Sequence, residues 1–182
     1  MPELFSNVLK LLSSKHIQIY LPDSALNAYI SANNWNGAIR KTEGDYLYVV
    51  NANLGGTKAN YFVENSMNYE VASKTRDGLL RGSLELEYKH TGTVDAWPGG
   101  PYTNYVRVFT QKGSKLTGAK ITNDGEEIDL FEDIIITTLP NHEIFETSFV
   151  LETGKNAQLV LEYDLPENLA ITNNSKEYKL LW

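Results

Sequence analysis

The chain has 182 residues, 42% of them apolar, which is enough for one sizeable packed domain or two small ones and argues against intrinsic disorder. A net charge of -7, with 16 Lys and Arg that gather into no stripe, leaves no basic field for nucleic-acid phosphates or anionic lipid. Cysteine is absent, so thiolate catalysis, disulfide scaffolding and cysteine-ligated zinc are ruled out.

The first segment, ELFSNVLKLLSSKH, spaces Phe5, Val8, Leu9 and Leu12 at i, i+3, i+4 and i+7, which predicts a helix over 3–13. HIQIYLP alternates Ile17, Ile19 and Leu21 against His16, Gln18 and Tyr20, the pattern of a half-buried strand. Asp23 or Ser24 then caps a short helix whose Leu26, Tyr29 and Ile30 face inward, ending at Asn33 and Asn34. DYLYVVNANL, 45–54, is apolar on both alternating sets and is expected to be a central strand covered on both faces.

The stretch NANLGGTKANYFV, 51–63, poses the question of a phosphate loop. Such a loop needs backbone N–H groups converging at a helix N-terminus and a Lys followed by Ser or Thr. Here Lys58 precedes Ala59 and Asn60 and then a strand-like YFV, so the loop chemistry fails. Gly55 and Gly56 are expected to supply positive φ in a tight turn, with Asn51, Asn53 and Asn60 bonding local backbone. Gly55, Gly56, Lys58 and Asn60 are therefore assigned to the turn and not to a ligand.

From about residue 66 the helical periodicity gives way to short alternating strands: NYEVASK, SLELEYKH, YVRVF, DIIITTL, EIFETSFVL and AQLVLEYDL. In SLELEYKH, Leu84, Leu86 and Tyr88 point inward, and Glu85, Glu87 and Lys89 point outward. Turns are expected at Arg76-Asp77-Gly78, Lys112-Gly113-Ser114, Asn123-Asp124-Gly125, Leu139-Pro140-Asn141 and Thr153-Gly154-Lys155. The expected fold is α+β: a small helix-plus-sheet portion over 1–65, then an immunoglobulin-like antiparallel β-sandwich over 66–182.

Several segments taken together, HIQIYLPD with WNGAI, GDYLYVV with NANLGGTKANYFV, YVRVFTQKGSKL, and LVLEYDLP, resemble in order and spacing the C-terminal portion of a bacterial family known as domain of unknown function number four thousand and twelve. The resemblance covers nearly the whole chain, with one departure at TQKG, 110–113, where relatives carry a proline before the basic residue. In that family these segments follow a membrane-anchoring helix and a region loosely similar to the LytR-CpsA-Psr cell-wall enzymes. The resemblance implies a C-terminal piece of a surface-exposed, membrane-anchored envelope protein, and it carries over no catalytic residue, because the family has none assigned. The lack of cysteine leans outward too, since many exported bacterial proteins avoid free thiols. Met1-Pro2-Glu3 has no basic n-region of a signal peptide, and the longest apolar runs, such as IIITTL at 134–139, are too short to span a bilayer. The expectation is a cytosolic protein or a piece of a longer one.

Little in the chain points to catalysis. His16, His90 and His142 are scattered at strand ends and turns without a second partner, and are read as surface or strand-end residues. The acidic run Asp124, Glu126, Glu127, Asp129, Glu132, Asp133 lacks the D-x-D-x-D-G order of a calcium loop and is read as a solvated strand face. Glu85 and Glu87 lie on one outward face, where burial cannot raise a carboxyl for glycoside hydrolysis.

The most suggestive stretch is VDAWPGGPYTNY, 94–105. Trp97, Tyr102, Asn104 and Tyr105 are the candidate ligand-binding residues, an aromatic and amide set suited to stacking on sugar rings and bonding their hydroxyls. Against this stands a structural role in which Trp97 folds over the open end of the sandwich as a hydrophobic lid. Trp35 and Asn36 admit the same two readings. The expected function is a non-catalytic extracellular structural or interaction module of a bacterial envelope protein. Its partner is a cell-wall glycan or another envelope protein, with no cofactor, metal or nucleic acid. The alternatives are a glycan-binding module or an accessory fragment of a cell-wall glycopolymer transferase.

Overall fold

In the computed structural model, residues 2–74, 78–171 and 177–182 are described. The chain divides into two compact units, the first ending at Lys41 and the second running from Thr42 to Trp182. The boundary expected at 65/66 instead falls inside a strand.

The first unit holds helix α1 (Pro2–Ser13) and helix α2 (Ser24–Ala32), with Leu12 and Ile30 buried. The Asp23 side chain caps α2 by accepting the Leu26 N–H at 2.9 Å, and Asn34 takes up the left-handed geometry beyond its end. Of the three side chains expected to face inward on α2, only Ile30 does; Leu26 and Tyr29 are exposed. Between the helices, Ile17, Ile19 and Leu21 are half-buried and His16, Gln18 and Tyr20 exposed, as the alternation demands. The segment nevertheless is no strand. Its main tie in this stretch is the Ile19 N–H to the Trp35 carbonyl, 2.9 Å, and a ladder needs a partner strand that this unit does not offer.

The second unit is a β-sandwich. One sheet has the order β10-β1-β4-β8-β7 and the other β2-β3-β9-β5-β6. The strands are β1 (Asp45–Asn53), β2 (Val63–Ser73), β3 (Leu80–His90), β4 (Tyr102–Gln111), β5 (Lys115–Asn123), β6 (Glu126–Asp129), β7 (Ile135–Thr138), β8 (His142–Leu151), β9 (Asn156–Asp164) and β10 (Leu180–Leu181). All pairings are antiparallel except the short parallel contact of β10 on β1. The likeness to immunoglobulin domains is one of layering: two antiparallel sheets enclosing one core.

Strict alternation builds that core. Leu84, Leu86 and Tyr88 of β3, Leu159, Leu161 and Tyr163 of β9, Val106 and Val108 of β4, and Phe145 of β8 all point between the sheets and are buried. Strand β1, expected to be buried on both faces, is so only at Asp45, Tyr46 and Leu47; Tyr48 and Asn51 are exposed. Tyr46 joins Phe109 and Ile144 in a second, smaller cluster on the other face of their sheet. Strand β5 fills the interval between two predicted turns. Of the expected turn at Arg76-Asp77-Gly78, the first two residues lie outside the described residues.

Candidate functional site

One end of the sandwich is built from two loops, 54–62 between β1 and β2 and 91–101 between β3 and β4. Backbone hydrogen bonds stitch them together: the Lys58 N–H to the Pro98 carbonyl at 2.8 Å, and the Thr91 N–H and hydroxyl to the Phe62 carbonyl at 2.7 and 2.8 Å. The Leu54 N–H reaches the Thr103 carbonyl at 2.8 Å. Two stretches singled out separately in the sequence thus form a single apex.

The turn chemistry is partly as expected. Gly56 has φ +69 with open space around it, so a left-handed residue is needed there and nothing packs against it. Asn53 organises the turn, accepting the Gly55 N–H at 3.0 Å and donating to the Thr57 carbonyl at 3.0 Å. Residues 59–62 form a short 3-10 turn (Ala59–Phe62), not a strand, and the strand begins at Val63. Lys58 contributes its backbone N–H to the stitching, while Asn60 is exposed at the surface of the turn.

His90, at the end of β3, anchors the second loop from below. It is buried, accepts the Gly92 N–H on Nδ1 at 3.1 Å, and places Nε2 3.0 Å from the Gly100 carbonyl oxygen. Accepting on Nδ1 leaves Nε2 as the donor, so one ring ties both ends of the 91–100 loop. A Cβ at Gly92 would lie 2.6 Å from the His90 ring, so only glycine permits this approach. His142 is also buried, beside Tyr46, whereas His16 is exposed. Of the surface or strand-end positions expected, His16 takes the first, while His90 closes β3 and His142 opens β8, both buried.

Four large side chains exposed on the apex are apolar or aromatic. Trp97 is 76% exposed, Tyr61 84%, Leu54 63% and Val94 63%. The lid reading of Trp97 is overturned by its exposure. Lys58 and Asp95 are charges of opposite sign on these loops, and Thr57, Asn60 and Thr93 supply uncharged polar groups. Nothing in the local sequence marks Tyr61, Leu54 or Val94 as exposed.

The other candidate residues part company with Trp97. Tyr102 and Asn104 are buried in strand β4, on its inward face with Val106 and Val108, and cannot meet a ligand. They belong to a polar belt between the sheets. The Tyr102 hydroxyl donates to Asn104 Oδ1 at 3.0 Å, and Asn104 Nδ2 and the Tyr88 hydroxyl both donate to Asn51 Oδ1 at 2.8 Å. Asn51 thus bonds across the core and not to local backbone as expected. Burial pushes the Tyr88 hydroxyl well above its ordinary pKa and raises that of Tyr102 too.

A second buried polar group lies at the opposite end of β1. Asp45 accepts the Tyr46 N–H at 2.8 Å and the Tyr69 hydroxyl at 2.6 Å, and it also accepts the Tyr178 hydroxyl. Burial raises its pKa, against the opposing effect of those hydrogen bonds. Tyr105 points the other way, to the outer face of its sheet, and donates to Glu146 Oε2 at 2.9 Å. Glu146 also takes Arg107 Nε at 2.8 Å and the Thr137 hydroxyl at 2.7 Å. Burial pushes the Glu146 carboxyl up, but these donors and the Arg107 charge outweigh it and hold the carboxyl below its usual range. Among the described residues, no group of three or more His, Asp or Glu is placed to hold a metal ion, and no helix is long and apolar enough to cross a membrane. No family model matches the chain, and no curated protein matches it.

Proposed function

We propose that this chain is a non-catalytic interaction module of a bacterial cell-envelope protein, working outside the cell, with the loop apex as its contact surface. One observation carries the reading: Leu54, Tyr61, Val94 and Trp97 stand exposed on two loops that hydrogen bonds and a buried histidine hold in place. Exposed large apolar groups on a fixed frame cost solubility and contribute nothing to the core, and their usual use is to contact a partner. The resemblance to the envelope family described above and the absence of cysteine support the compartment.

A neutral glycan is the ligand class that the chemistry of the apex favours as a second reading. Aromatic rings beside hydroxyls and an amide, with one Lys and one Asp in balance, suit stacking on an uncharged sugar. As an accessory fragment of a glycopolymer transferase, the chain would work by the same contact.

The test uses the Trp97 indole N–H and the amides of 54–62 and 91–101 as NMR reporters against peptidoglycan fragments, teichoic acid and a broad panel of oligosaccharides. Shifts confined to these signals and abolished by Trp97→Ala establish glycan binding. A photo-crosslinking residue at position 97 in the envelope-borne protein should trap a partner that the same residue at position 87 does not. Equal trapping at both positions overturns the apex as contact surface, and turnover of a substrate by the isolated chain overturns the non-catalytic reading.

A further inference from the structure

The side of the sandwich where β6 and β7 end their sheets carries a second, chemically different surface. Ile128 of β6 pairs in register with Ile121, and Ile136 of β7 with Phe145. Both partners are buried core residues, so the two isoleucines share their inward face. At the sheet edge neither is covered, and both stay half exposed, as does Phe131 in the turn between the strands.

Beside this seam runs a groove of about 660 Å³ lined by Phe131, Val160, Lys120, Glu127, Asp129 and Glu162. A bulge in β5, where the register shifts between Leu116 and Gly118, lies along its wall. Lys120, the one cation of the lining, is bonded to Glu127 at 2.9 Å. The surrounding sequence is one-signed: from 121 to 133 there is no Lys or Arg, against Asp124, Glu126, Glu127, Asp129, Glu132 and Asp133.

We infer that this seam and groove dock a cationic amphipathic segment of a partner protein, one that sets large aliphatic side chains on Phe131, Ile128 and Ile136 and Lys or Arg against Glu127, Asp129 and Glu162. The apolar strip supplies the drive for association and the carboxylates select the sign of the partner. A second copy of this chain is the wrong occupant, because it would bring a like-charged rim against this one. The inference is independent of the apex, which presents neutral chemistry on a different set of loops.

The test titrates the isotope-labelled chain with three synthetic peptides: alternating Lys and Leu, alternating Glu and Leu, and alternating Lys and Gly. Only the Lys-Leu peptide should shift amides, and those should cluster in 117–136. Glu127→Lys with Asp129→Lys should weaken that peptide roughly tenfold or more. Phe131→Ser with Ile136→Ser should also weaken it, and because these side chains are already half exposed the fold should survive, as amide dispersion will report. Glu64→Lys with Glu87→Lys, in the other groove of the same sheet, should leave the affinity unchanged. Equal binding of the Lys-Gly peptide, or equal loss on reversing Glu64 and Glu87, would show attraction by net charge alone and overturn the proposal.

Discussion

Polarity is inverted in two regions of this molecule, and the two inversions have different meanings. In the belt between the sheets, amides and hydroxyls sit where apolar atoms are expected, and Tyr88, Asn51, Asn104 and Tyr102 satisfy one another. At the apex, apolar side chains sit where water is, and the hydrogen bonds there fix only backbone. A buried polar group that finds its partners is explained by the fold alone. Exposed apolar groups on a fastened loop are not explained by the fold, which points outward to a partner.

The largest effect should come from the belt. Asn104→Leu leaves the buried Tyr102 hydroxyl without its acceptor, while the exposed Asn51 keeps the Tyr88 hydroxyl as a donor. An orphaned buried hydroxyl of this kind costs about 1–3 kcal/mol, and the variant should lose about that much stability in urea unfolding. It should leave apex contacts intact at temperatures where it remains folded. A loss under about 0.5 kcal/mol would mean that the belt is not what orders the interior here.

Ionisable groups give an intermediate test through pH. The Asp45 carboxyl is raised by burial, so the fold binds its proton more tightly than the unfolded chain does. That contribution is present below the unfolded value of about 4 and is lost as pH rises through the folded value. Glu146 and Asp164 are lowered, Glu146 by its donors and Arg107, Asp164 by Lys74 and Arg81, each against a burial effect of opposite sign. Their contributions are present above the unfolded values of about 4 and are lost as pH falls through the lower, folded ones. Asp45 therefore partly offsets acid destabilisation. Asp45→Asn should make stability fall more steeply between neutral pH and pH 4, and Glu146→Gln should make it fall less steeply, at a cost of about 1 kcal/mol at neutral pH. Thermal unfolding midpoints across that range read both slopes; parallel slopes for wild type and Asp45→Asn would contradict the buried carboxyl's role.

How far the sequence carried this comparison depends on which signals are local. Alternation placed Leu84, Leu86 and Tyr88 inside, and the same parity runs through Tyr102, Asn104, Val106 and Val108, so the burial of the first two was legible once PYTNY is taken as the start of β4 and not as loop. Its Gly and Pro neighbours hid that boundary. At HIQIYLP the alternation predicted the burial of every second residue correctly and the strand wrongly, because a ladder depends on a distant partner that periodicity does not report. Asn51 bonding across the core, and the pairing of the 54–62 loop with the 91–101 loop, are likewise contacts between residues far apart in the chain. Tyr61 carries no signal of exposure in the sequence, because YFV reads as strand, where alternation gives it none, and the structure makes 59–62 a 3-10 turn.

The smallest stability effect should accompany the largest functional one. Trp97 is 76% exposed and Tyr61 84%, so truncating either removes little buried surface. Surface changes of this kind usually stay within about 0.5 kcal/mol, and Trp97→Ala and Tyr61→Ala should do so in urea unfolding. If the apex is the contact surface, both should abolish binding-induced shifts in the loops they share, while Asn104→Leu, far more damaging to the fold, leaves those shifts in place. The reverse pattern, with apex variants unfolding and belt variants losing binding, would show that the exposed aromatics hold the loops together and that contact is made elsewhere. His90 separates the two roles further. Replacing it with Phe keeps bulk in the core but unties Gly92 and Gly100 from each other. Binding should then weaken through a loosened loop, with Trp97 itself still present and the sheet amides unshifted.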